Sequence, residues 1–157
     1  MHPMVVHFPL ALVLSGNAML LASRLLRRSD HGATLATVGT WNLCLGAAAA
    51  LFALGTGLGA AVGLQIESSA HQAVSVHFRW AIATSLALVL LAVWRGAGSA
   101  PPSRPTWVFL ALLSAASAGL IVTGYRGGQN VYQFGVGVRG SPAAACGALD
   151  AVEPRCR

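Results

Sequence analysis

The chain reads as an all-α membrane protein, a bundle of four transmembrane helices with both termini on the outer, periplasmic side. Three observations carry that reading. Of its 157 residues, 55% are hydrophobic and only 9% are charged, where a water-soluble domain carries about 25% charged residues. Four apolar stretches each approach or exceed the roughly 20 residues a helix needs to cross a bilayer at about 1.5 Å per residue. The ten basic residues are all arginines and most stand at the ends of those stretches, so the formal charge of +6 follows membrane topology and does not form a phosphate-binding face for nucleic acid.

The first span is expected over about residues 5–26, closed by Arg24, Arg27, Arg28 and the turn residues Ser29, Asp30, His31 and Gly32. It has no basic segment before its apolar run, so it reads as a retained helix and not a cleaved signal peptide. The second, over about 35–64, is glycine-rich, longer than a span requires and stopped by Gln65, Glu67, Ser68 and Ser69, so it should tilt or project. The third, about 74–94, ends at Arg95 and a Gly, Ser and Pro-rich stretch in which Pro101, Pro102 and Pro105 forbid helix continuation. The fourth runs over about 107–125 and is closed by Arg126. Residues 1–126 thus form the bundle, and 127–157 a glycine-rich tail on the outer face.

Orientation follows from the short loops. The two candidate inside loops hold Arg24, Arg27, Arg28, Arg95 and Arg104, and Trp94 and Trp107 stand beside them, with Trp80 towards the outer interface. Within the second span, Gly55, Gly59 and Gly63 recur every four residues on one helical face. They suit small-residue helix packing, or leave space for a flat cofactor.

The histidines carry the functional signal. His2 and His7 open the first span and His71 and His77 open the third, which places all four at the outer face. Imidazole is scarce in apolar helices because an unpaired polar group in hydrocarbon costs free energy. At about 1.5 Å per residue, His7 matches His77 in depth and His2 matches His71. Two imidazoles at one level on two helices suit axial ligation of a haem b iron, so His7 and His77 are the expected metal ligands and His2 with His71 a possible second site. The alternative for each is hydrogen bonding to headgroups, water or backbone carbonyls. Arg79 and Arg126 lie at the same face and offer forked donors to haem propionates, or snorkel to headgroups. Tyr125 and Tyr132 suit hydrogen bonding at that edge or an aromatic belt.

Cys44, Cys146 and Cys156 contain no CxxC or CxxCH spacing, which excludes a cysteine zinc site and covalent c-type haem attachment. Cys44 falls inside an apolar run and reads as a packing residue. Cys146 and Cys156 are expected to pair as a disulfide if the tail faces an oxidising compartment.

The segment HPMVVHFPLAL, a third helix entered through a histidine and closed by Trp94 and Arg95, and the ending TGYRGGQNVYQFGVGV resemble the bacterial membrane family known as domain of unknown function 2231. The resemblance spans about residues 2–138 and implies four transmembrane helices and an association with redox or cytochrome partners. The histidine-rich SSAHQAVSVHFRW and the cysteine-bearing tail depart from that pattern.

The expected function is a haem-b-binding subunit of the bacterial inner membrane, a small b-type cytochrome with one haem or two. It would carry electrons between an outer-face redox protein and the quinone pool or respiratory chain. The four acidic residues, Asp30, Glu67, Asp150 and Glu153, all lie outside the spans, so nothing in the sequence points to an independent enzyme. Two alternatives stand beside it: a cofactor-free anchor or assembly subunit packed through the glycine stripe, and an outer-face copper site formed by Met1, His2, Met4 and His7.

Overall fold

A computed structural model describes residues 5–26, 30–62, 68–96 and 104–136. Four helices follow one another: α1 His7–Leu25, α2 Asp30–Val62, α3 Ser68–Gly96 and α4 Trp107–Tyr132. All four are long and apolar enough to cross a membrane. At about 1.5 Å per residue, their 19, 33, 29 and 26 residues make α2 much longer than the ~30 Å hydrocarbon layer. Each helix packs on two neighbours, α1 on α2 and α4, α3 on α2 and α4, while α1 and α3 lie on one diagonal and α2 and α4 on the other, without contact. Asn17 of α1 bonds Ser114 and Ser117 of α4, Thr40 of α2 meets Arg95 of α3, and His77 of α3 meets Thr123 of α4. Each neighbouring pair is therefore antiparallel. The bundle runs up-down-up-down, with the starts of α1 and α3 at one end and the starts of α2 and α4 at the other.

The helix limits differ from expectation in three places. α3 begins at Ser68, so Ser68 and Ser69 open it about six residues before the expected start at 74 instead of stopping the second span. Asp30, His31 and Gly32 begin α2 instead of forming a turn. Gly32 permits this because a Cβ there would stand 2.5 Å from the Leu26 carbonyl oxygen, so the chain reverses at contact distance. In the third place α4 does not stop at Tyr125. It continues through Gly127 and Gly128 to Tyr132, and the amide of Gln133 still bonds the Gln129 carbonyl. The start of α4 matches expectation: Pro105 is fully buried, and the Thr106 hydroxyl accepts from the Phe109 amide, an N-cap that satisfies one of the helix's orphan donors.

The tightest contact is the α1–α2 seam, and glycines make it. A Cβ on Gly39 would lie 2.8 Å from Leu20 Cγ and 3.1 Å from the Gly16 carbonyl oxygen; one on Gly46 would lie 2.7 Å from Val13 Cγ2. Backbones that close gain dispersion contacts, which drive helix association in lipid where burial of apolar surface does not. The anticipated stripe does something else: Gly55 and Gly59 have nothing within 4 Å, and Gly63 lies outside the described residues. Counting antiparallel from Val13 against Gly46, α1 begins beside about residue 52 of α2, so Gly55 and Gly59 project past its end.

The core is built from Val13, Leu20, Leu43, Leu88, Leu113 and their neighbours, with Cys44 packed against it as expected. These side chains occupy the middle of the bundle and the end where Arg24 and Arg95 lie. Outward faces carry exposed Phe8, Leu45, Phe52, Leu90, Val93 and Val108, the pattern of a surface solvated by lipid.

Candidate functional site

Towards the opposite end, the buried positions turn small and polar. Thr84, Thr123 and Asn130 are buried there, with Ala70 of α3, and among the described residues no fully buried large apolar side chain lies level with His77. The Thr123 hydroxyl donates to the Gly119 carbonyl one turn back, so the Thr84 hydroxyl, 3.4 Å away, is the donor of that pair. His77, half-buried on α3, places Nδ1 3.1 Å from the Thr123 carbonyl oxygen of α4. A carbonyl only accepts, so Nδ1 carries the proton, an assignment that follows from the partner's chemistry.

Gly127 makes this approach possible. The His77 ring lies against the α4 backbone where a Cβ would stand 3.0 Å from its Cε1, a contact that would push the ring back by a few tenths of an ångström. Thr123, Gly127 and Asn130 are spaced by four and three residues, hence on one face of α4. A fourth span ending at Tyr125 leaves Gly127 and Asn130 outside it; with the helix continued to Tyr132 the same spacing brings all three onto one face.

His7 is exposed at the first residue of α1. Leu10 of α1 packs at Gly124 of α4, where a Cβ would meet Leu10 Cδ1 at 3.1 Å, and counting back three residues in an antiparallel pair brings His7 level with about Gly127. His7 and His77 thus share a level at the two ends of a diagonal, on helices whose backbones do not approach closely. The Arg126 side chain, one residue before Gly127, buries its Nε with no hydrogen-bond partner. Arg79 is exposed, two residues and about 200° round α3 from His77. His71 is exposed in the second turn of α3, and His31 is exposed at the far end. Tyr125 and Tyr132 are exposed, Tyr125 accepting from Gln129 Nε2. His2, the remaining copper candidates Met1 and Met4, and the Cys146–Cys156 pair lie outside the described residues.

Among the described residues no group of three or more metal-ligating side chains forms. The chain matches the model of the family described as predicted membrane protein (DUF2231) over residues 1–140. It belongs to this family. No curated protein and no solved structure matches it. The family description and the four apolar helices together make this a membrane protein.

Proposed function

We propose that the chain is a haem-b-binding membrane subunit, in which His77 and His7 would hold the haem, that passes electrons between a redox protein at its histidine-bearing face and the quinone or respiratory chain. The supporting observation is the contact of His77 Nδ1 with the Thr123 carbonyl. A ring protonated at Nδ1 carries its lone pair on Nε2, and a backbone acceptor behind a ligating histidine is the usual way its orientation is held. The buried, unpartnered Arg126 Nε suits a carboxylate such as a propionate. A bound haem b would supply one-electron chemistry. The protein's part is ligation by His77 and His7, orientation through Thr123, and a small-residue face at Gly127.

The test is an absorption spectrum of the dithionite-reduced protein purified from haem-replete cells. A b-type α band is expected, lost in His77→Ala and altered in His7→Ala. No α band, or one indifferent to His77→Ala, overturns the proposal. The second reading, a cofactor-free anchor or assembly subunit, is favoured by Gly55 and Gly59, which face open space and leave a side-chain-free surface for a helix of another chain.

A further inference from the structure

The arginine-bearing end has chemistry that the haem proposal does not use. Arg24 of α1 sets its guanidinium 5.5 Å from the Trp107 ring centroid, and Arg95 of α3 sets its own 5.9 Å from that of Phe109. Trp107 and Phe109 are two residues apart on α4, about 200° round the helix, so the two cations flank its first turn from opposite sides. The aromatic faces orient the guanidinium groups without neutralising them. Hydrogen-bond acceptors are scarce: Arg95 Nε donates to Thr40 Oγ1, while Arg24 Nε and Arg95 Nη2 are buried with no partner. The sequence places Arg24, Arg27, Arg28, Arg95 and Arg104 at this end against the single carboxylate of Asp30. Around the cations, Leu25, Val93, Trp94, Trp107 and Val108 are exposed.

We propose that this end binds anionic phospholipid headgroups in the two seams that flank α4, one between α1 and α4 at Arg24 and one between α3 and α4 at Arg95. A phosphate diester accepts guanidinium N–H groups beyond the one that Arg95 Nε gives to Thr40. The exposed apolar rim lies where acyl chains run, which selects a lipid over a soluble phosphate. The excess positive charge selects an anionic lipid over a zwitterionic one.

Native mass spectrometry of the full chain in detergent, with phosphatidylglycerol and phosphatidylcholine at equal mole fraction, tests this. Retention of up to two phosphatidylglycerol molecules with a several-fold preference over phosphatidylcholine is expected. Arg24→Gln and Arg95→Gln should each remove one, the double variant should remove the preference, and Arg79→Gln at the other end should keep it. Equal retention of the two lipids by the unaltered protein overturns the proposal, and that arm does not depend on how any variant folds. Survival of the preference in the double variant, or displacement of the lipid by millimolar inorganic phosphate, overturns it as well.

Discussion

At the scale of single residues, the geometry turns on adjacent glycines with opposite surroundings. Gly128 has nothing within 4 Å, whereas a Cβ on Gly127 would press on His77. Alanine in place of a helical glycine contributes about 0.5–1 kcal/mol where space allows. Gly128→Ala should therefore stabilise the protein by about that amount. Gly127→Ala should lose that gain, because pushing the ring back strains its bond to the Thr123 carbonyl, worth about 0.6–2 kcal/mol between membrane helices; a stability below that of Gly128→Ala by about 1 kcal/mol is expected. Thermal unfolding of both variants in detergent checks the contrast, and a Gly127→Ala protein as stable as Gly128→Ala would show that the ring does not rest on that backbone. The histidines were legible as candidates because an imidazole in an apolar helix is conspicuous. Thr123 and Asn130 were not, since a threonine hydroxyl bonded within its own helix and a single asparagine leave no mark in composition.

Between elements, α1 and α2 meet through Gly16, Gly39 and Gly46. Gly39→Ala forces a methyl to within 2.8 Å of Leu20 Cγ and 3.1 Å of backbone, and overpacking of this kind costs about 1–3 kcal/mol. Gly55→Ala and Gly59→Ala, with open space around them, should be neutral or stabilising in the isolated chain. Unfolding of the three variants in detergent measures the difference; equal losses would mean the seam is looser than described. Gly39 and Gly46, seven residues apart, share a face as surely as Gly55 and Gly59 do. Spacing tells which positions point the same way, and the register against α1 decides which of them meet another helix.

For the molecule as a whole, the alternation of helix directions puts the histidine-bearing ends of α1 and α3 together, with the arginines Arg24 and Arg95 at the opposite end. Arginine in short loops remains on the cytoplasmic side, which predicts that the connection bearing Arg24, Arg27 and Arg28 faces inward and both termini outward. Reporter fusions at the C-terminus should be active only as periplasmic reporters; activity as a cytoplasmic reporter would invert the topology. The same orientation would put the proposed haem face towards the periplasm and the lipid seams in the inner leaflet.

Four spans, their order and their apolar middles were readable from the chain, because crossing a bilayer demands long uninterrupted apolar runs; the starts of α2 and α3 and the end of α4 were not, since polar residues there continue a helix. The level shared by His7 and His77 was readable too, since helical rise converts sequence separation into depth. The diagonal placement of α1 and α3, the use of Gly39 over Gly55, and the continuation of α4 to Tyr132 came from packing. Each depends on which surfaces meet. Sequence periodicity describes one helix at a time, and the free energy that chooses between faces comes from close contact between two.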